Sequence, residues 1–420
     1  MSKPKREVIL KERLERLEKV IRVKEPDRVP IMMAACFLPV SYLGTTYEKI
    51  AFDYQECKKG AIKVASDFGF DMFGCFSGLE GFIFSLALIE SHPDIAPFVR
   101  FLTGPMHDIL QDKYTKWPGR ETSENTYPQF LGGKFMEPEE YGKLIENPLG
   151  FINEVLLPRV CRSLEKPNSA KAYGAMIKLG MDVAKYGAMM QELTTELKNL
   201  GFPSFPFAWS YSPLDLIGDF MRHVTDVVVD LHRIPDKVQQ AIEVLTPLAA
   251  KVGVVSGQVP PEVKKFFGTD IVLAFIPLHL NSILSPKLYH EYYWPALKKV
   301  IGELIKAGLT PFVFYEGDHT PHLETMRELP KGKTVAYFER ADLRKVKEVL
   351  GGHTCIMGGI PGSLLAGGTP EKVREHVKSL LEDLKPGGGF AVAPAEASSL
   401  DVKPENIKAL TDAVKKYGKY

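Results

Sequence analysis

Chemistry-bearing side chains crowd one stretch of the chain. Tyr315–His322 reads YEGDHTPH, with two carboxylates, Glu316 and Asp318, and two imidazoles, His319 and His322, inside seven residues. Carboxylate and imidazole donors suit zinc, iron or manganese. The plainer role is a solvated loop in which Asp318 caps the next helix. A second informative carboxylate, Glu396, sits in APAEASS, where small neighbours let a ligand approach closely. His279 and Asn281 share the segment LHLNS. Glu316 and Glu396 can take a metal together with His279 or His319, or work without one as general acid and base. Glu339, Trp209, Tyr211, Tyr315, Asp318, Asn281 and Ser77 are the candidates to line a substrate pocket, with Asp215 and Asp71 close by in sequence.

These residues become a site only if the intervening elements bring them together, and the apolar pattern predicts that they do. Short apolar runs at 31–35, 70–76, 205–209, 271–275, 311–315, 334–338, 354–358 and 389–393 read as strands. Helical patterns separate them at 46–68, 168–200, 213–231, 235–252, 286–307, 320–329, 342–350, 369–384 and 404–417. Apolar strands alternating with helices imply a parallel sheet covered on both faces. So many consecutive units predict an α/β fold of the closed (β/α)8 TIM-barrel type. Residues 1–25 form an N-terminal helical extension, and 26–420 form the barrel. An irregular insertion at about 90–150 suits a lid or an oligomer arm. In such a barrel the chemistry lies just after each strand, at the C-terminal mouth, which is where Glu316, Glu339, His279 and Glu396 fall. The methionines Met176, Met181, Met189 and Met190 read as packed core in preference to an adaptable binding face.

Bulk properties narrow the function. The 420 residues carry 53 Lys+Arg against 52 Asp+Glu, so no basic surface for nucleic acid is expected from charge. The apolar runs are shorter than the ~20 residues that cross a bilayer, and the charged N-terminus shows no signal peptide. Five cysteines with no CxxC spacing predict reduced thiols in a cytoplasmic protein. No GxSxG elbow supports a serine hydrolase. The glycine-rich GGIPGSLLAGGTP at 358–370 reads as tight turns, with Ser363 and Thr369 near helix starts.

Several segments together resemble the uroporphyrinogen decarboxylase superfamily: PDRVP at 26–30, LSPKLYHEYYWPALKKVI at 284–301, FVFYEGDHT at 312–320, LGGHTCIMGGIPGSLLAGGTPEKV at 350–373, and GGGFAVAP with DVKPENIKAL across 387–410. The resemblance implies a (β/α)8 barrel with its pocket at the C-terminal mouth. It also separates two activities. Decarboxylases of the family use paired arginines after the first strand, an aspartate in an FSD-like motif and a late histidine. Here the first exit reads MAACFLPVSYLG, the FSD position reads Phe76-Ser77-Gly78, and the late histidine falls on Glu396. A tetrapyrrole with several carboxylates loses attraction and gains repulsion at such a site, so porphyrinogen decarboxylation is not expected. The other activity is cobalamin-dependent methyl transfer, in which zinc is held by a His-x-Cys pair and a later Cys. Those positions fall on Phe314, Glu316 and Glu396, so the thiolates are absent and a harder, oxygen-rich zinc site is implied.

The expectation is therefore a methyltransferase component of a corrinoid system. It moves a methyl group between a small organic substrate and a separate corrinoid carrier protein, since no DxHxxG motif is present. A homodimer is expected. The alternatives are a metal-independent decarboxylase or lyase acting on a non-porphyrin acid, and a non-catalytic binding barrel.

Overall fold

In the computed structural model, residues 3–34, 37–74, 77–395 and 402–420 are described. Eight short strands run parallel: β1 (Met32–Ala34), β2 (Met72–Gly74), β3 (Phe207–Trp209), β4 (Leu273–Leu278), β5 (Thr310–Tyr315), β6 (Val335–Phe338), β7 (Cys355–Ile360) and β8 (Phe390–Pro394). Strands β3 to β8 make one six-stranded sheet in chain order, and β1 pairs with β2. A single parallel bridge, Ile31 to Val392, joins the pair to β8. No ladder joins β2 to β3 among the described residues. All eight expected strands are present, and what is observed is an α/β fold built on a parallel six-stranded sheet.

Alternation along the strands sorts the side chains into two cores. Met32, Met72, Leu273, Phe312, Phe314, Val335, Tyr337, Cys355, Met357, Ala391 and Ala393 share one apolar cluster, against which Phe207 and Phe275 pack. Leu17, Val20 and Ile21 of helix α1 (Lys3–Ile21) close this cluster from one end. The alternate residues, such as Ala274, Ile276, Val313, Tyr315, Ala336 and Phe338, face the helical layer. That layer includes α2 (Tyr54–Phe68), α3 (Ala170–Asn199), α4 (Pro235–Ser256), α5 (Trp294–Lys306), α6 (Leu343–Leu350), α7 (Pro370–Leu384) and α8 (Pro404–Tyr417). Caps fix several helix starts: Asp342 accepts from Arg344 N and Lys345 N at α6, and Thr369 accepts from Lys372 N at α7.

Four expected helices differ in detail; that at 286–307 passes through a π-helical turn, Tyr289–Tyr293, before the regular helix from Trp294. The pattern at 46–68 is two helices, because Asp53 turns extended and caps the second. The segment 320–329 is a 3₁₀ run, Thr320–Glu328. The helix expected at 213–231 is broken: Pro213–Ile217 passes through a π-helical turn, Gly218–Arg222, to His223 at φ 76°, and only then into Val224–Arg233. The insertion causes the break. Phe220 O accepts from Tyr114 Oη (2.7 Å), and Met221 O accepts from Phe135 N (2.8 Å) and Met136 N (2.9 Å). Carbonyls committed to another segment tilt away from the helix axis, which widens the turn.

Met189 is core, but Met176 and Met181 are exposed, so the methionine group is divided between core and surface. Cys57, Cys161 and Cys355 are buried free thiols. Among the described residues no single helix is long and apolar enough to cross a membrane.

Candidate active site at the sheet's C-terminal edge

Strand parity decides which side chains reach the inner face beyond the strand ends. From inward Phe275, two steps along the chain lead to His279. From inward Phe314 the next inward position is Glu316, and from inward Tyr337 it is Glu339. The three residues line one cavity of about 460 Å³, together with Asp219, Phe130 and Leu131. The insertion contributes the last two and so roofs the cavity. Gly132 allows this close approach: it sits at φ +62°, and a Cβ there would lie 2.7 Å from Asp219 O. A larger hollow of about 580 Å³ lies on the insertion's outer side. Its charges are already paired, Arg159 with Glu140 at 2.7 Å, so it offers no free acid or base.

At the centre stands His279. Its Nδ1 donates to Asp219 Oδ2 at 2.5 Å, and its Nε2 lies 3.3 Å from Glu316 Oε1. Tyr211, fully buried behind Asp219, donates its hydroxyl to the same Oδ2 at 2.9 Å. Burial works against the imidazolium, but the charges of Asp219 and Glu316 outweigh it and hold His279 well above its ordinary pKa. Glu80 belongs to the same electrostatic group. Burial, with the like charges of Asp219 and Glu316, pushes its carboxyl up to about 7 against the pull of His279. Asp215 is raised too, first by burial and then by Asp219.

Other residues hold these in place. Asp215 accepts from Leu280 N (2.8 Å) and Tyr293 Oη (2.5 Å), which fixes the backbone next to His279. Asn281 Nδ2 donates to Glu316 O at 2.9 Å, and Glu339 Oε2 accepts from Gly317 N at 2.6 Å. Gly317, at φ +66°, permits the turn: a Cβ there would lie 2.1 Å from Ser282 Oγ.

The structure thus gathers His279, Glu316 and Glu339 in one cavity, with Asn281 and Tyr211 as supports. Other sequence candidates lie elsewhere. His319 is fully buried outside the cavity, among Tyr315, Tyr289, His322 and Phe338. Its Nδ1 accepts from Asn281 Nδ2 at 3.2 Å, and burial with His322 keeps it well below the usual pKa, as the neutral form. Tyr315 has outward parity and stacks on Phe338 beneath the helices, which takes it away from the cavity. Asp318 is exposed and accepts from Thr320 N at 2.9 Å in a local turn; it does not cap the following 3₁₀ run, whose N-cap position is His319 without a side-chain cap. Trp209 packs edge-on against Phe275 (4.7 Å) on the inner face. Ser77 is buried, and its hydroxyl finds no hydrogen-bond partner among the described residues. Asp71 lies at the far end of the strands, paired with Arg16 and Arg28. Glu396 lies outside the described residues.

Sequence reasoning missed Asp219 and Glu80. The signals were faint: an acid four residues after Asp215 in the apolar run PLDLIGDFM, and a lone acid in GLEGFIFSLALI. Zinc is the metal expected from the sequence. His279 Nε2 and Glu316 Oε1 supply two suitable donors, and Asp219 orients the ring as an outer carboxylate does in zinc sites. A catalytic zinc takes three protein ligands, and among the described residues no three His, Cys, Asp or Glu side chains converge on one point. The described donor set is therefore incomplete for zinc.

Comparisons with known proteins bear on the family and the fold. The uroporphyrinogen decarboxylase (URO-D) family model matches residues 186–417, just over half of the chain. A uroporphyrinogen decarboxylase of Ruthia magnifica subsp. Calyptogena magnifica is 22% identical over 292 residues, 69% of this chain and 76% of that one. One from Pseudoalteromonas translucida is 24% identical over 148 residues, 33% of this chain and 39% of that one. Among solved structures, a methyltransferase from Methanosarcina mazei superposes with a TM-score of 0.60 at 15% identity, covering 97% of this chain and 98% of that one.

Proposed function

The chain belongs to the uroporphyrinogen decarboxylase (URO-D) family, and from that premise we propose that it is the methyltransferase component of a corrinoid-dependent system. We read its eight parallel strands as a (β/α)8 barrel, because one face of all eight feeds a single apolar core. The observation that carries the functional reading is His279, clamped at Nδ1 by Asp219 and directed at Glu316 through Nε2 at the cavity wall.

A corrinoid on a separate carrier protein supplies the cobalt that exchanges the methyl group. What this chain must do is hold the methyl-bearing substrate in line and stabilise the group that leaves. Methyl transfer from an ether, ester or similar oxygen expels an oxyanion. His279, protonated at neutral pH, donates a proton or a charged hydrogen bond to that oxygen from Nε2. Asp219 keeps the ring in place and stabilises its charge. Glu80, with a pKa near 7, is poised to return the proton. The insertion roof excludes water while the oxygen is charged. The carrier protein and a homodimer belong to this proposal. The zinc expected from the sequence does not, because an Nε2 that carries a proton cannot also bind a metal and the described donors are incomplete for one.

Decarboxylation of a non-porphyrin acid is the second reading. It draws on the names of the curated relatives and on the same Glu80–His279 proton pair, which could protonate a carbanion. Mixing the protein with cob(I)alamin and a panel of methyl ethers, methyl esters and methylamines separates the two. Methylated corrinoid by absorbance supports the proposal. Carbon dioxide release from an organic acid, with no corrinoid methylation, supports the second reading and removes the first.

A further inference from the structure

Helix α3 runs for 30 residues and buries one face only. Ala175, Leu179, Asp182, Tyr186 and Met189 lie on that face, which packs on α2. At about 100° per residue, the opposite face holds Tyr173, Ile177, Met181, Ala184 and Ala188. All five are exposed. Ile177, 66% exposed, is the most exposed large apolar side chain among the described residues, and Tyr173, Met176 and Met181 are exposed within the same nine residues. The solvent side of a surface helix is ordinarily polar, and a contiguous apolar patch there marks a contact surface.

The charges beside the patch are sorted along the helix. Lys171, Lys178, Lys185 and Glu192 follow one flank at intervals of seven, with Glu196 one turn further on. The first half of the flank is therefore basic and the second acidic. None of the three lysines closes an ion pair among the described residues; Lys171 donates to Arg162 O at 3.0 Å. Glu192 and Glu196 share one lysine, Lys58, at 2.8 Å and 3.3 Å. Two such helices laid antiparallel bring the basic half of each to the acidic half of the other, whereas a parallel pair sets like charges together. Gly180 and Gly187 border the patch in mid-helix, where glycine weakens a helix. A Cβ at either would meet nothing within 4 Å, so packing within the chain does not call for them. Close approach of a second helix does.

We propose that the outer face of α3 is the interface of a two-fold dimer of this chain, with the two helices antiparallel and the axis near Ala184. A two-fold contact uses the same patch on both copies, and this register sets Met181 of one copy opposite Gly187 of the partner subunit. Arg13 of α1 donates to Gly201 O, just past the end of α3, at 2.7 Å, which ties that end of the helix to the N-terminal end of the sheet. Antiparallel pairing therefore turns the two His279 cavities toward opposite ends of the dimer, and each stays open to a carrier protein. The inference supplies a surface for the homodimer of the proposed function and rests on that part of it alone.

The test is sedimentation velocity of the full chain, with helix content followed by circular dichroism. Wild type is expected at twice the chain mass. Ile177→Asp and Met181→Asp are expected to weaken dimerisation roughly tenfold or more, as for residues at the centre of an interface. Gly180→Ala, which favours the helix, is expected to weaken it too, and covers the case in which an aspartate variant misfolds. Phe98→Asp, at a comparably exposed site on the insertion, is expected to leave the dimer in place. In a mixture of Tyr173→Cys and Thr195→Cys chains, a thiol cross-linker is expected to join unlike chains and not like ones. Like-with-like cross-linking overturns the antiparallel arrangement. A dimer undiminished in the α3 variants, or lost equally in Phe98→Asp, overturns this surface and leaves the homodimer standing. A wild type of single-chain mass overturns both. No turnover is read, so failure of methyl transfer leaves the inference intact.

Discussion

The two ends of the strands carry similar side chains arranged to opposite effect. At the N-terminal end, Arg16 and Arg28 meet Asp27 and Asp71 in a closed set: Asp71 receives both guanidinium groups at 2.7 Å and Ile31 N at 2.8 Å. Both carboxylates are fully bonded, so the cluster ties α1 and the first strands together. At the C-terminal end, Glu80, Asp215, Asp219 and Glu316 surround one imidazolium, and two of these carboxyls are driven upward by burial and mutual repulsion. Paired charges hold a fold. Unbalanced ones at a cavity wall mark a place that awaits a ligand or a proton.

Substitution sharpens the contrast, beginning with the largest effect. His279→Gln is expected to cost about 10³-fold in methyl transfer, the middle of the range for a lost acid–base group, with the melting temperature nearly unchanged. Single-turnover kinetics beside a thermal melt checks both halves. Asp71→Asn is expected to do the reverse. Removing one partner from a buried ion set costs about 3–5 kcal/mol of stability, visible in urea unfolding, while the folded fraction keeps its rate. Comparable activity losses in the two variants would erase the distinction between the ends.

The ends should also answer pH in opposite directions. Glu80 has a folded pKa of about 7, above its unfolded value, so the folded state holds the proton longer. Stability is then lost as pH rises from the unfolded carboxyl range toward 7, by up to about 3 kcal/mol if the whole shift is expressed. His279 acts in the same sense, because its raised pKa gives stability that is present at low pH and lost as pH climbs through the folded value. Asp27, lowered by Arg16 against the cost of burial, contributes stability above its unfolded pKa that is lost on acidification. Unfolding measured from pH 4 to 9 in Glu80→Gln is expected to show a shallower loss of stability than wild type as pH rises from the unfolded carboxyl range to 7, and a parallel curve above 7. The smallest effect is expected of Gly317→Ala. A Cβ that crowds Ser282 Oγ at positive φ costs about 1–3 kcal/mol, read as a lower denaturation midpoint.

The strands were legible in the sequence because parallel strands buried on both faces show as plain apolar runs. Glu316 and Glu339 were found from their place just past strand ends, and parity, each one inward position beyond an aromatic, is the physical reason that they reach the cavity. His319 and Tyr315 were misplaced by the same reasoning in reverse: a polar cluster at a strand end was treated as one unit, although alternate residues face opposite layers. Asp219 was hidden for a different cause. Its position depends on a π-helical turn, and that turn exists because Tyr114, Phe135 and Met136, about a hundred residues away, capture carbonyls of the helix. No local pattern encodes such a contact. Glu80 was hidden because its meaning lies in a pKa set by three other segments.

Corrinoid methylation by wild type and His279→Gln, followed by absorbance under identical donor and cob(I)alamin concentrations, bears most directly on the account. Rapid methylation by the first and about a thousandfold slower methylation by the second is the predicted result. Equal rates from the two proteins would contradict it.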